Sequence, residues 1–359
     1  MNSNHVAVAM SGGVDSSVAA ALLKDRGYQV TGVTMKIWDG EKVPVFKPRR
    51  SCYGPGEAED IKETQRVAEK LGIDLHIINL SEEFRRDVLD YFEREYLTGR
   101  TPNPCVMCNR YIKFQALIDK SGNAGIEFDY FATGHYSRID YDENSSRYLL
   151  KKARDTVKDQ SYFLAFLTQD QLKNTLFPVG EYTKQEVRDL ARKFNLGVDE
   201  KPESRDFVAA GYRSLISDTQ AGLIKNARGE ILGEHRGIAD YTIGQRKGLG
   251  ISGKDPFYVT DIDPETNTVI VGSREDVYSD ELTANNLNWI SMEKLETEME
   301  VRAKIRYSHE EAKVTVIPLA DEQVKVKFKE PQMAITPGQA VVFYNDEIVL
   351  GGGIIERSG

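Results

Sequence analysis

Cysteine is scarce in this chain, which carries only Cys52, Cys105 and Cys108 among its 359 residues. Three thiols cannot supply the crosslinks of a disulfide-stabilised secreted protein, so we expect a reducing, cytoplasmic environment. Long apolar runs are missing as well, since no stretch reaches the roughly 18 consecutive apolar residues of a membrane-spanning helix. The amino terminus, MNSNHVAVAMSGG, lacks the apolar core of a signal peptide. The sequence therefore predicts an intracellular protein with no membrane partner.

The chain also lacks an excess of positive charge. It has 47 Lys and Arg residues against 56 Asp and Glu residues, which gives a formal net charge of −9 at pH 7. This balance disfavours a protein that coats nucleic acid by neutralising phosphates at random. Basic residues are nevertheless concentrated in two places: five of them against one acidic residue in 147–158, and four against two in 302–313. A nucleic-acid partner is therefore expected only on local surfaces.

The first third of the chain alternates short apolar runs with amphipathic stretches. We predict strands at 5–10, 29–38, 74–80 and 128–134, and helices at 15–26, 57–71, 82–97 and 112–120, the first with a Ser or Asp cap. Strands separated by helices in this way are typical of a parallel sheet covered on both faces. The segment 150–200 reads as mostly helical, and 39–56 as a mobile loop.

The remainder of the chain has a different pattern. Closely spaced glycines and short β-rich runs fill 221–279, and alternating strands separated by turn residues fill 280–359. We therefore expect an α/β catalytic domain at 1–205, a small β-rich central domain at 206–279 and a C-terminal β-barrel at 280–359.

A glycine-rich loop stands between the first predicted strand and the first predicted helix, with the sequence SGGVDSS at 11–17. Glycines allow close approach of the backbone to phosphate, and a helix N-terminus directs free N–H groups at an anion. The hydroxyls add donors and Asp15 is a candidate Mg²⁺ ligand. No Gly-Lys-Ser/Thr follows, so the loop is not a Walker A motif. A simple turn capped by serines is the alternative interpretation.

Two of the cysteines belong to a second motif, PNPCVMCNRYIKF at 102–114. A Cys-x-x-Cys pair in a reducing compartment indicates metal ligation, a redox pair or a nucleophile. Cys108 immediately precedes a predicted helix, whose dipole should lower the pKa of its thiol. Two buried structural thiols are the alternative, which the polar, proline-rich surroundings disfavour.

Taken together, these motifs carry a family resemblance. SGGVDSS resembles the pyrophosphate loop of the PP-loop ATPases, which cleave ATP between the α- and β-phosphates and adenylate a substrate oxygen. With PNPCxxCNxxIKF it closely resembles the tRNA-specific 2-thiouridylases, which place sulfur on C2 of the wobble uridine. The resemblance continues through ATGHY at 132–136, KDQSYF at 158–163, TIGQRKG at 242–248, KIRY at 304–307 and PGQAVVFY at 337–344.

The resemblance implies a role for each matching residue. Cys108 corresponds to the nucleophile, and Cys105 is a candidate second thiol. The residues implied to bind ATP, with Mg²⁺, are Ala9, Met10, Ser11, Gly12, Gly13, Val14, Asp15, Ser16, Met35 and Gly134. Those implied to border the target base or touch tRNA are Asn103, Pro104, Cys105, His135, Lys158, Asp159, Gln160, Arg306, Tyr307 and Gln339. The implied product besides 2-thiouridine is AMP with pyrophosphate.

The chain departs from the family pattern at the second catalytic cysteine. That position corresponds to Val208, which cannot carry sulfur, whereas Cys105 stands where many relatives have Asp. Two schemes follow for sulfur delivery from a donor protein or inorganic sulfide. In one, Cys105 and Cys108 form a dithiol relay; in the other, Cys52, Cys105 and Cys108 hold a [4Fe–4S] cluster. A zinc site or lost activity is a further alternative.

Two rival functions also stay open from the sequence. One is another PP-loop synthetase that forms AMP with a small-molecule substrate; it gives no reason for the cysteine motif or the barrel. The other is a decayed module that binds tRNA or nucleotide without thiolating, which the valine at 208 favours.

Overall fold

The computed structural model describes residues 4–40, 51–202, 206–208, 215–216 and 219–358. The amino-terminal part is built on five parallel strands in the order β4-β2-β1-β5-β8. Its strands are β1 (His5–Ala9), β2 (Gln29–Lys36), β4 (Asp74–Asn79), β5 (Tyr130–Thr133) and β8 (Thr175–Leu176). Helices α1 (Val14–Asp25) and α2 (Glu57–Leu71) connect the first strands, so the predicted parallel sheet is confirmed.

Of the two helical segments that follow β4, the first agrees with the prediction and the second is longer than predicted. Helix α3 (Ser81–Phe84), the π-helical turn Arg85–Leu89 and α4 (Asp90–Leu97) form one continuous helical segment. A second continuous segment comprises α5 (Pro104–Met107), π-helical Cys108–Ala116 and α6 (Leu117–Asn123). Cys108 therefore lies inside a helix, and the prediction of a helix only from 112 was wrong.

Beyond β5 the chain forms a hairpin that the sequence did not reveal, β6 (Ser137–Asp142) with β7 (Arg147–Lys152). Helices α7 (Ser161–Leu164), α8 (Gln169–Lys173) and α9 (Lys184–Lys193) follow, but they cover less than half of 150–200, so the prediction of a mostly helical segment was wrong. Short β3 (Ser51–Tyr53) pairs in parallel with β9 (Asp206–Val208). Residues 51–53 of the predicted mobile loop are thus a strand, whereas 41–50 lie outside the described residues.

The rest of the chain is β-structure. A four-stranded sheet contains β10 (Gly222–Asn226), β11 (Ile231–His235), β12 (Tyr258–Asp263) and β13 (Thr268–Gly272). Six further strands follow: β14 (Tyr278–Trp289), β15 (Met299–Lys304), β16 (Ala312–Pro318), β17 (Val324–Met333), β18 (Ala340–Asn345) and β19 (Ile348–Ser358). They close into a barrel because β14 pairs with both β17 and β19. The predicted fold class is confirmed.

The hairpin joins the amino-terminal part to this barrel. Strand β7 pairs with β19 through Ile348↔Lys151 and Val349↔Leu150, which extends the barrel sheet by two strands. Leu150 and Val349 are fully buried in a hydrophobic cluster that also contains Phe131 and Tyr344. Among the described residues, no helix is long and apolar enough to cross a membrane.

The shared cluster yields a stability prediction. Leu150→Ala leaves a cavity at the junction and should lower the free energy of unfolding by about 2–5 kcal/mol. Leu149→Ala, at the partly exposed neighbouring position, is the matched control and should cost less. Urea unfolding followed by fluorescence measures both, and equal losses would argue against a buried junction.

Candidate active site

The glycine-rich loop leaves β1, the central strand of the parallel sheet, and leads directly into α1. Gly13 is the N-cap residue of α1 and no side chain caps the helix, so the predicted Ser or Asp cap was wrong. The serines instead turn inward: Ser17 Oγ donates to Gly13 O at 2.7 Å, and Ser11 N donates to Ser16 Oγ at 3.2 Å. The first N–H groups of α1 therefore stay uncapped by side chains, as an anion site requires.

Two glycines allow the surrounding backbone to approach this loop. Gly12 has φ +67°, and a β-carbon there would lie 2.6 Å from Asp60 O. Gly134, just after β5, packs so closely on α1 that a β-carbon would lie 2.5 Å from Ser16 N. The implied nucleotide residues Ala9 to Ser16 and Gly134 are thus brought together, and Met35 lies partly buried near the carboxyl end of adjacent β2.

Two lysines that sequence reasoning missed converge on the loop. Lys184 Nζ donates to Asp15 Oδ1 and Oδ2 at 2.7 and 2.8 Å, and the Tyr136 hydroxyl donates to Asp15 Oδ1 at 2.8 Å. Lys201 Nζ donates to Gly12 O at 2.8 Å and to Asp60 Oδ1 at 2.9 Å. Both lysines are distant from the loop in sequence, so no local pattern could have indicated them.

The cysteine motif forms the start of the second helical segment. Asn103 is its N-cap and accepts a hydrogen bond from Val106 N at 3.3 Å, and Pro104 follows at the first helical position. Cys105 and Cys108 are therefore one helical turn apart, and both are partly buried. Residues three apart in a helix have β-carbons about 5–6 Å apart, whereas a disulfide needs about 3.5–4.5 Å. The turn must tighten for these thiols to bond.

Burial dominates the electrostatics of these thiols. Desolvation raises the pKa of Cys105 to about 12 and that of Cys108 to about 11, although Lys113 acts on both in the opposite direction. The expectation of a lowered pKa at Cys108 was wrong, because removal from water outweighs the helix dipole and the nearby ammonium. Both groups are therefore thiols near pH 7.

His135 lies between the nucleotide loop and the helical segment 104–123 that carries Cys105 and Cys108, the thiol helix. Its Nε2 lies 3.5 Å from Lys113 Nζ and its Nδ1 lies 2.7 Å from Thr133 Oγ1. Burial, together with the Lys113 charge, lowers the pKa of His135 well below its ordinary value, so the ring is neutral. Since Lys113 can only donate, the proton is assigned to Nδ1, which donates to Thr133.

A cavity of about 660 Å³ opens beside the cysteine motif. It lies between the thiol helix, the central β-rich part and the barrel. Its walls include six residues implied to border the base or touch tRNA: Asn103, Pro104, Cys105, Arg306, Tyr307 and Gln339. Its other walls include Phe92, Tyr96, Thr101, Pro102, Phe163, Phe207, Ala239, Asp240, Thr242, Gln245 and Ser308.

Comparison with known proteins places this geometry in a family. Residues 4–209 match the family model described as the tRNA methyl transferase HUP domain, 214–273 match its PRC-barrel domain, and 279–355 match an aminomethyltransferase beta-barrel domain. The tRNA-specific 2-thiouridylase MnmA 1 of Caldanaerobacter subterraneus subsp. tengcongensis is 51% identical over 99% of this chain and 98% of that protein. The chain belongs to the tRNA-specific 2-thiouridylase family.

Further relatives agree with that assignment. The tRNA-specific 2-thiouridylase MnmA of Acetivibrio thermocellus is 48% identical over 99% of this chain and the whole of that protein, at 100%. A solved 4-thiouridine synthetase with RNA and bound ATP aligns at 19% identity with a TM-score of 0.37, over 56% of this chain and 44% of that one. That structural similarity is too weak to support a functional argument, so the family assignment depends on the sequence matches.

Within this thiouridylase fold, the cavity walls are organised by contacts between distant segments. Gln339 Nε2 donates to Thr101 O at 2.9 Å and to Pro102 O at 3.3 Å, which holds the approach to the cysteines. Phe163 and Tyr307 lie with ring centroids 4.5 Å apart and planes inclined by 32°. Tyr307 is 38% exposed, so this pair presents an aromatic surface to the cavity.

The remaining predicted tRNA residues do not line the cavity. Asp159 is buried and accepts hydrogen bonds from Ala153 N and Ser161 Oγ. Gln160 Oε1 accepts from Tyr136 N at 2.9 Å, which links it to the segment beside the nucleotide loop. Like His135 and Lys158, these residues stay predicted tRNA contacts.

The basic segment 147–158 is largely neutralised by acidic partners. Lys151 pairs with Asp140 and Glu347, Lys152 with Glu311, and Arg154 with Glu186. Arg147 donates to the carbonyls of Trp289 and Ile290. These contacts join the hairpin to its neighbours, and the positive surface that the composition of this segment predicts stays a prediction.

The third cysteine lies beside the position of the missing family cysteine. Cys52 is an exposed residue of β3, and β3 pairs with β9 through Tyr53↔Val208. Over the described ranges, however, no three His, Cys, Asp or Glu side chains are arranged to hold a metal ion. Cys52 and Cys108 nevertheless lie near enough to Cys105 to raise its pKa, so the three-cysteine cluster and the zinc site stay predictions.

Gly134→Ala tests the close approach of β5 to the loop. The added β-carbon would force the first turn of α1 away, so ATP should bind roughly ten-fold more weakly, equivalent to about 1.4 kcal/mol. Gly122→Ala is the matched control because nothing lies within 4 Å of a β-carbon there. Calorimetric titration with ATP measures both variants, and unchanged affinity in Gly134→Ala would contradict this packing.

The thiol electrostatics predict a pH profile. Because only the thiolate is alkylated, labelling of Cys108 by iodoacetamide should be slow near pH 7 and should accelerate until about pH 11. Lys113→Met removes the cation that opposes the rise in pKa, so labelling at any given lower pH should be slower still. Lys120→Met, whose ammonium pairs with Glu83, is the control. Mass spectrometry of the Cys108 peptide gives the rates, and equal rates in both variants would refute the role of Lys113.

Proposed function

We propose that this protein catalyses ATP-dependent 2-thiolation of the wobble uridine of tRNA, with release of AMP and pyrophosphate. The observation that carries the proposal is that the nucleotide loop and the thiol helix both contact the short segment that follows β5. His135 contacts Lys113 of the thiol helix, and the adjacent Gly134 packs against Ser16 of the nucleotide loop. A base activated by adenylation would thus lie close to the sulfur that attacks it.

The nucleotide occupies the loop at the carboxyl end of β1. Uncapped N–H groups of α1 bind its phosphates, and Met35 packs near the adenine. Mg²⁺ accompanies the triphosphate, since this ion is commonly held by one or two carboxylates and substrate phosphates. Asp15 is the carboxylate of the loop, and its oxygens contact Lys184 and Tyr136. It must exchange partners to join the ion.

The target uridine enters the cavity lined by Asn103, Pro104 and Cys105. Chemistry on a base requires it outside the stack, and an aromatic surface stabilises an extruded base. Tyr307 with Phe163 supplies that surface in this proposal, and Arg306 lies at the same wall. Gln339 acts by holding Thr101 and Pro102 in place.

Adenylation makes the uridine oxygen a leaving group. ATP transfers AMP to the C2 oxygen and pyrophosphate departs. A persulfide sulfur on Cys108 then attacks C2, and AMP leaves with the original oxygen. The thiolate of Cys105 attacks the Cys108 sulfur, which releases 2-thiouridine and leaves a Cys105–Cys108 disulfide; a thiol reductant restores the pair. The outer sulfur comes from a donor protein persulfide, which becomes a thiol as Cys108 accepts it.

Burial raises the pKa of both cysteine thiols, so the thiolate fraction near pH 7 is small. A closer approach of the Lys113 ammonium would lower the pKa of Cys108 and raise its thiolate fraction. We therefore infer that a change in the surroundings of Cys108 precedes attack by its sulfur.

The proposal is tested by following the oxygen and the thiols. Uridine labelled with heavy oxygen at C2 should deliver that label to AMP, because the displaced oxygen leaves on the phosphate. Cys108→Ser and Cys105→Ser should abolish 2-thiouridine in tRNA, whereas Cys52→Ser should retain it. Mass spectrometry of nucleosides and of AMP gives the readout.

Other outcomes would select the alternatives. Loss of product in Cys52→Ser, together with iron and sulfide in anaerobically purified protein, would replace the relay by cluster chemistry. An absence of product from every tRNA tested, with ATP consumption on a small molecule, would favour a different AMP-forming synthetase. Nucleotide binding without any turnover would favour a decayed module.

A further inference from the structure

The ammonium group of Lys184 occupies an unusual place for a lysine. Its side chain is only 12% exposed, and it lies at the first turn of the phosphate loop's own helix, α1. The residue comes from α9, 169 positions away from Asp15 along the chain. Removing a cation from water is unfavourable unless an anion accompanies it, and here the carboxylate of Asp15 is that anion.

The backbone around Lys184 is held firmly. Thr183 caps α9 in a reciprocal capping box with Glu186, and Lys184 N donates to Asp155 Oδ2 at 2.9 Å. The ammonium is then directed by Asp15, which binds it through both oxygens, and by the Tyr136 hydroxyl on the same carboxylate. The cation is therefore oriented before any nucleotide binds.

We propose that Lys184 binds the β- and γ-phosphates of ATP, with Asp15 and Tyr136 holding it in position until the nucleotide arrives. This inference rests on the proposed use of ATP by the loop. A phosphate oxygen can replace a carboxylate oxygen as the partner of the ammonium, so its charge stays paired. Asp15 is then released toward the Mg²⁺ that accompanies the triphosphate.

Lys201 provides a contrast at the same loop. Its ammonium donates to a backbone carbonyl, Gly12 O, and to Asp60 on α2. Those contacts hold the left-handed Gly12 against α2 and therefore support the shape of the loop. Lys201 is a positioning residue, and its loss should affect every ligand of the loop to a similar degree.

The difference between the two lysines gives a sharp experiment. Lys184→Met keeps the length of the side chain and removes its charge, so affinity for ATP and for pyrophosphate should fall roughly ten- to hundred-fold. Affinity for AMP, which lacks the β- and γ-phosphates, should stay within about two-fold of wild type. Lys184→Arg should recover part of the lost ATP affinity. Calorimetric titration with each ligand and Mg²⁺ measures these values.

The controls separate this inference from the proposed function. Lys193→Met, at the exposed end of α9, should bind all three ligands like wild type, and Lys201→Met should weaken AMP and ATP together. Equal losses of AMP and ATP in Lys184→Met, or unchanged ATP affinity, would overturn the phosphate role. Wild-type protein that fails to bind ATP would instead overturn the proposed function.

Discussion

The contact of Gly134 with the first turn of α1 is the constraint on which much of this structure depends. Because Gly134 has no β-carbon, which would collide with Ser16 N, the end of β5 can lie directly beside the nucleotide loop. The two residues that follow Gly134 then reach in opposite directions. His135 reaches the thiol helix through Lys113, and Tyr136 reaches back to Asp15. One short segment thereby connects nucleotide, thiols and the hairpin that joins the barrel.

The barrel contributes to the site by shaping its entrance. The turn before β18 lies against the strand-like approach to the cysteines, where a β-carbon on Gly338 would be 3.0 Å from Thr101. Thr101 N donates to Pro337 O, and Gln339 donates back to Thr101 and Pro102. These contacts make the position of Asn103, and hence the start of the thiol helix, depend on a part of the chain more than 200 residues away. The cavity is consequently a property of the assembled molecule.

The nucleotide loop and the thiol helix differ in how their ionisable groups are paired and solvated. At the nucleotide loop, lysines are brought close to backbone carbonyls and a carboxylate, so a polyanion finds paired cations and free N–H groups. At the thiol helix, apolar packing prevails and a single lysine opposes desolvation. The first region is prepared for its ligand, whereas the second needs a change in its surroundings before a thiolate can form. That order suits a reaction in which activation of the oxygen precedes attack by sulfur.

Local pattern was enough to predict the parallel sheet, the glycine loop, the barrel strands and the two cysteines, because apolar periodicity and turn residues are determined over a few positions. It failed where partners are distant. The hairpin Ser137–Lys152 carries many polar residues yet pairs with β19, and two of its lysines are paired with acidic groups elsewhere in the chain. Lys184 and Lys201 carry no motif that links them to the loop. The scarcity of cysteine drew attention to the three thiols from the sequence alone. Only the tertiary structure decided that Cys105 and Cys108 are desolvated and that the strand of Cys52 pairs with the strand of Val208, since burial and strand pairing depend on contacts that no stretch of sequence contains.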